Sequence, residues 1–395
     1  MNEHESFRLR IDRLQQRAFL VGLVAVTLCI GGAIFNPGQF FQSYLQAYLF
    51  WIGISLGCLA VLMLHHLVGG WWGLPIRRPL EAGCRTLSLM AVLFVPILLW
   101  SRLLYSWARA EEVAADELLR HKSLYLNVPA FTGRAIVYFA IWISVAHVLN
   151  RWSGEQDRTG NRLIAKRFKD LSGPGLVLYG LTVTFSAVDW VMSLEPHWHS
   201  TIYGMVFVAG QGLEGTAFVI IVAHLLTRWG ALADMAPSQR FHDLGNLTLT
   251  FLMLWAYTAF SQFLIVWAEN LTDEIPWYLH RTIGGWQGMA VTLIVLQFGL
   301  PFVLLLSRGL KQRSQLLSLI AIVILFMRMV DLVWLVAPAF HPTGLFIHWL
   351  DLLTPIGMGG IWISIFVWHL KTRPLIPLHD PMMEAAREQA GEGQT

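Results

Sequence analysis

The sequence has 395 residues, of which 55% are hydrophobic and 13% charged, with a mean hydropathy of +0.54. A soluble domain carries about 25% charged residues, so a polytopic membrane protein is expected, with few residues left for a soluble domain. The net charge of +3 is small and scattered over loops, which argues against nucleic acid as a partner. The cysteines Cys29, Cys58 and Cys84 provide no disulfide framework, CxxC metal site or haem-attachment motif.

In chain order, a polar segment over 1–17 contains Arg8, Arg10, Arg13 and Arg17. No small-x-small cleavage site follows the first apolar run, which is therefore read as a retained helix. Apolar runs long enough to cross a bilayer predict ten helices, over 18–35, 44–68, 87–107, 131–149, 175–193, 202–227, 244–268, 286–306, 316–336 and 345–369. Of the 28 Lys and Arg, twenty-one fall at the termini and in the even-numbered loops, four fall in the odd-numbered loops, and Arg102, Arg134 and Arg328 lie inside helices. The positive-inside rule then places both termini in the cytoplasm, and an odd helix count would scramble the partition. The loop over 150–172 is the most basic and is expected against anionic lipid head groups.

An internal repeat is visible. Asp189, Pro196 and His199 have the spacing of Asp331, Pro338 and His341. His66 and Trp71 match His224 and Trp229, and Tyr125-Leu126 matches Tyr278-Leu279. The expected fold is all-α, with two parallel four-helix-bundle repeats (helices 2–5 and 6–9) flanked by two peripheral helices. By residue number this gives a cytoplasmic segment over 1–17, peripheral helix 1 over 18–43 and a first bundle over 44–200. A second bundle over 201–343, peripheral helix 10 over 344–370 and a cytoplasmic tail over 371–395 follow.

Titratable residues inside the apolar runs are the candidate functional groups, because a charge at the bilayer centre costs about 2.5–3.5 kcal/mol even on the mildest scale. Converted at 1.5 Å per residue, Glu214 falls at the middle of helix 6 and Tyr257 near the middle of helix 7. Asp189, Arg102, Arg328, Asp331 and Asp351 lie in the outer half, with Glu195, His197, His199 and His348 further out. His66, His147 and His224 lie toward the inner end. Such a ladder suits a proton path through Glu214, Asp189, Tyr257, Arg328, Asp331, His66, His147 and His224. An outer cluster of Arg102, Glu195, His197, His199, His348 and Asp351 could instead hold a quinone. Each group also has a structural alternative. Arg328 and Asp331, at i and i+3, could neutralise each other; Arg102 could pair with Asp189; His348 and Asp351 could cap helix 10. No catalytic or metal-binding residue is predicted. Nothing on the helix face of Glu214 offers it a Lys or Arg, which makes it the hardest to explain as packing.

The stretch DWVMSLEPHWHSTIYG (189–204), with LWAYTAFSQFLIVWAENLTDEIPWYLHR (254–281), resembles the smaller of the two NrfD/PsrC-like integral membrane subunits of alternative complex III, the bacterial quinol:cytochrome c oxidoreductase. The resemblance spans roughly 40–370 and is specific in its DWxMSLEPHW segment. It implies an integral subunit of the bacterial inner membrane, paired with a larger sister NrfD-like subunit that carries the quinol site. It further implies an iron–sulfur subunit and multihaem and monohaem c-type cytochromes as partners, with a terminal oxidase as a further candidate. On this reading haem c and iron–sulfur clusters belong to those partners, and no cofactor is bound by this chain unless it is a quinone or menaquinone. The alternatives are a quinone-binding membrane anchor and a secondary transporter. Against the transporter, Pro96, Pro301 and Pro355 do not match between the repeats.

Overall fold

The computed structural model describes residues 3–161, 163–232 and 238–376. Among them 84% of the chain is helical and there is no strand. Ten helices are long and apolar enough to cross a membrane: helix 1 (Glu3–Phe35), helix 2 (Pro37–Val68), helix 3 (Arg77–Leu99), helix 4 (Val128–Thr159), helix 5 (Leu163–Trp190), helix 6 (Tyr203–Arg228), helix 7 (Ser238–Glu269), helix 8 (Trp286–Leu306), helix 9 (Ser314–Val336) and helix 10 (Trp349–Lys371).

Local chemistry sets several of the boundaries. Asn36 caps helix 2 by accepting from the Gln39 N–H, with Pro37 in the first turn. Asn127 does the same for helix 4 through Ala130. An asparagine oxygen there replaces a missing intrahelical partner, and proline loses nothing where its N–H would be an orphan. Gly160, at φ 62°, ends helix 4 in the left-handed conformation that glycine adopts without strain.

Several expected boundaries are corrected. Helix 1 starts near the N-terminus rather than at 18, because the polar stretch is itself made of helix formers and buries Ile11. Helix 3 begins at Arg77, not 87: Arg77 and Arg78 stand one turn before Glu81 and keep that polar end helical. It stops at Leu99, and 101–108 forms only short turns. The basic stretch over 150–172 is mostly helix, since helices 4 and 5 run through it from both sides. From 377 onward the expected tail lies outside the described residues.

Helices 2, 3, 4 and 5 close into a ring of neighbours, and helices 6, 7, 8 and 9 into another. The rings meet where helix 6 lies on helices 2 and 5, and helix 9 on helix 2. Helix 1 packs along helix 10, which lies against helices 2 and 3. Helix 2 is the centre: 89% of its most apolar stretch is buried, against 22% for helices 1 and 8.

The helix 2–helix 6 crossing is a glycine contact. A Cβ at Gly57 would fall 2.0 Å from the Gln211 carbonyl oxygen, and one at Gly215 would fall 2.5 Å from the Gly57 carbonyl carbon. Gly22 and Gly360 bring helices 1 and 10 together in the same way. Close backbone approach through small residues is how helices associate where no hydrophobic drive separates them from lipid.

Candidate functional site: a buried ionic cluster at the junction of the two rings

Glu214 is 1% exposed and lies at the helix 2–helix 6 crossing. Its Oε1 accepts from Arg328 Nε of helix 9 at 3.1 Å. Its Oε2 is buried with no hydrogen-bond partner. That oxygen abuts helix 2 where Gly53 has no side chain; a Cβ there would fall 2.0 Å away. Gly210, one turn before Glu214, leaves room for Arg328 in the same manner, at 2.3 Å from Nη2. Arg328 Nη1 donates to Asp331, one turn on. The Trp255 indole of helix 7 and the Gln297 amide of helix 8 approach Asp331, but neither Trp255 Nε1 nor either Gln297 amide atom closes a hydrogen bond. Gln297 is fully buried on a π-helical turn, Leu293–Gly299, the sole such turn among the described residues; π-turns occur often at functional sites. On the other side, the Tyr179 hydroxyl of helix 5 donates to Gln211 Oε1 at 2.7 Å, one turn from Glu214.

One guanidinium therefore stands between two carboxylates, surrounded by unused donors and acceptors. Removing charge from water costs several kcal/mol per ion unless geometry and hydrogen bonds repay it. Arg328 can repay it for one carboxylate; the second needs a proton or another polar partner.

Asp189, in the first ring, is the contrasting case. Arg134 Nε and Nη2 donate to its two carboxylate oxygens at 2.9 Å each, and the Tyr138 hydroxyl donates at 2.8 Å. Arg134 lies over the Tyr125 ring at 3.8 Å. Burial and the nearby Asp189 carboxylate push the Tyr125 hydroxyl up to about 12, so it stays protonated. The expected Arg102–Asp189 pair is thus corrected. Arg102 is solvent- or lipid-exposed, and the partner comes from helix 4 because helices 4 and 5 are packed neighbours.

The expected ladder is not continuous. Tyr257 is 66% exposed on the outward face of helix 7, away from the cluster. His147 and His199 are exposed. His66 stacks on Phe168 at 4.2 Å, and His224 Nδ1 pairs with the Ser314 hydroxyl at 3.0 Å. In the turn after helix 5, Glu195 accepts from the fully buried Arg281 at 2.7 Å and lies 3.4 Å from His280 Nδ1. His197 Nε2 meets Asp116 at 2.7 Å. His348 and Asp351 form a capping box at the start of helix 10, and Asp351 also accepts from Ser43 and Gln39 of helix 2. The sequence could not show the direction of each side chain.

One cluster escaped the sequence reading. At the end of the bundle where helix 3 begins, Arg77 and Arg78 both reach Glu81, at 3.1 and 2.7 Å. Arg78 also holds Asp157 at 2.6 Å, and Ser153 donates to Glu81 at 2.6 Å. All but Asp157 are buried. The spacing RRPLE, with an acid at i+3 and i+4 from two arginines, was the available signal.

Among the described residues no group of His, Cys, Asp or Glu side chains could hold a metal ion. A cavity of about 260 Å³ at the end of the bundle where helix 4 begins is lined by Lys122, Tyr125, Met192, Ser193, Pro196 and Trp198 among others. Neither His197 nor His199 lines it. No protein-family model matches the chain, and no curated protein matches it.

Proposed function

We propose that this chain is an integral membrane subunit of a bacterial respiratory quinol:electron-acceptor oxidoreductase of the alternative complex III type, which supports a quinol-oxidising sister subunit and holds a proton at the Glu214–Arg328–Asp331 cluster. In this reading it spans the inner membrane with both termini cytoplasmic, as the distribution of Lys and Arg indicates. Iron–sulfur and c-type cytochrome subunits are its partners. The two rings are parallel repeats: helices 5 and 9 each carry a buried aspartate and lead into a 3₁₀ turn, Met192–Leu194 and Ala337–Ala339. Each aspartate also faces the helix before its own, Asp189 through Arg134 and Asp331 through Gln297.

The observation that carries the proton role is the charge count in the cluster. Two buried carboxylates share one guanidinium, and Glu214 Oε2 has a free lone pair. A proton on Glu214 makes the cluster neutral. When it leaves, Arg328 already touches both carboxylates and can share the remaining charge without moving between helices. Tyr179 and Gln211 provide hydrogen-bonding groups on the side of the first ring. A quinol bound in the sister subunit would supply electrons and protons at the outer face. A quinone-binding anchor is the second reading, and it rests on the outer cavity beside Tyr125 and Lys122.

The test is mild-detergent purification of the tagged chain, wild type and Glu214→Gln. Wild type is expected to bring c-type cytochromes and an iron–sulfur protein, visible in a reduced-minus-oxidised spectrum. Glu214→Gln should assemble equally and turn over with fewer protons moved per electron. A colourless, solitary chain overturns membership of the complex and favours the transporter. An unchanged proton ratio in an assembled variant overturns the proton role alone. Quinone extracted with a chain free of its partners favours the anchor.

A further inference from the structure

The ends of helices 3 and 10 that meet at Arg85 and Arg373 hold more positive charge than the described residues neutralise. Arg77 and Arg78 are taken up by Glu81 and Asp157. Arg85, two turns further along helix 3, has no carboxylate partner among the described residues. Its Nη1 donates only to the Thr372 hydroxyl, at 3.1 Å. Arg373 reaches Glu81 at a long 3.5 Å, and otherwise donates to the Asn150 carbonyl at 2.7 Å. Arg85 and Arg373 are within electrostatic reach of each other and of His369, whose buried Nδ1 has no hydrogen-bond partner. Four arginines thus face two acids here. Arg85 is half-buried, where a cation without a counter-charge is costly. The carbonyls ending helix 10 ease that cost, but carry only about half a unit of charge.

We infer that Arg85, Arg373 and His369 form a binding site for the phosphate of an anionic lipid. The Arg85 fork, used only through Nη1 toward Thr372, is available to phosphate oxygens, and Arg373 stands beside it as a second cation with the imidazole next to both. The site lies at the last turn of an apolar helix, where lipid phosphates sit if the chain spans a bilayer, and basic pockets between helices at the cytoplasmic side commonly take such head groups. The occupant chosen is a phospholipid because the flanking surface is apolar: Trp368 is 52% exposed beside His369 and can lie along an acyl chain.

The experiment measures binding of dioleoyl-phosphatidylglycerol to the purified full chain, with any subunits that accompany it, by native mass spectrometry and thermal shift. Dioleoyl-phosphatidylcholine and inorganic phosphate serve as comparators. Phosphatidylglycerol is expected to bind and raise the melting temperature, and the comparators are not. Arg85→Gln should weaken binding about five-fold, and the double variant with Arg373→Gln about twenty-five-fold. Arg85→Lys keeps the charge and should retain most of the binding, which separates a lost site from a misfolded variant. Arg120→Gln, exposed at the opposite end of the helices, should change nothing. Equal loss in that control, or undiminished binding in the Arg85/Arg373 double variant, overturns the site. An equal stabilisation by inorganic phosphate overturns the lipid as its source. Binding that appears only when the chain is cut back to Ile376 assigns the arginines to the acids of 377–395, and overturns it as well.

Discussion

Asp189 and Glu214 are both buried carboxylates, and their surroundings give them opposite roles. Asp189 receives three hydrogen bonds, two of them from one bidentate guanidinium, so it is a finished structural pair. Glu214 shares its guanidinium with Asp331 and leaves one oxygen unused. Removing one partner of a buried pair costs about 3–5 kcal/mol. Arg134→Gln is therefore expected to destabilise the chain by about 3 kcal/mol in a thermal or denaturant assay, and adding Asp189→Asn should restore part of that by removing the stranded charge. Additive losses in the double variant would show that the pair is not what holds helices 4 and 5. The sequence placed Glu214 near the middle of helix 6, but Asp189 stands in the last turn of helix 5, further from its centre than expected. The sequence could not tell them apart, because that depends on whether an arginine from another helix arrives.

At the scale of the helices, glycine decides the architecture. Gly53 and Gly57 on helix 2, with Gly210 and Gly215 on helix 6, let two backbones touch and let a carboxylate and a guanidinium fit at the crossing. Gly57→Ala puts a methyl against the Gln211 carbonyl and must push the helices apart, a loss of about 1–3 kcal/mol in stability. Gly180→Ala, on helix 5 with nothing within 4 Å of the new methyl, should instead gain about 0.5–1 kcal/mol from helix propensity. Opposite signs in one unfolding assay are the expected result; two gains would mean that the crossing is loose. The four-residue glycine spacing stood in the sequence, but nothing there said which helix faces it. The termini of helices were read less well than their centres. Polar helix formers at 3–17 and 150–172 carry no apolar signal, yet continue the helices that enter them.

At the scale of the whole molecule, loops far apart in sequence are held together over the end of the bundle where helix 4 begins. His197 meets Asp116, and Lys122 donates to the Pro196 carbonyl at 2.6 Å. Burial raises the Asp116 carboxyl, but the Leu119 N–H, His197 and the Leu118 N–H together outweigh it, so it lies below its usual range. A lowered carboxyl favours the folded contact above the unfolded value of about 3.9, and that contribution is lost as pH falls through the folded value. Hydrogen exchange over 105–127 should therefore quicken below about pH 4. In Asp116→Asn it should lose this pH step, and an unchanged step would place the docking elsewhere. Hydropathy alone was enough to read ten apolar helices and a buried acid at mid-depth, because a membrane-length run and a charge within it are properties of local composition. The partner of each charge, the glycine crossing of helices 2 and 6 and the buried arginine cluster where helix 3 begins came only with the tertiary structure. Each depends on which way a side chain faces and which helix lies opposite, and those are settled by packing between segments far apart in sequence, from 55 residues for Arg134 and Asp189 to 114 for Glu214 and Arg328.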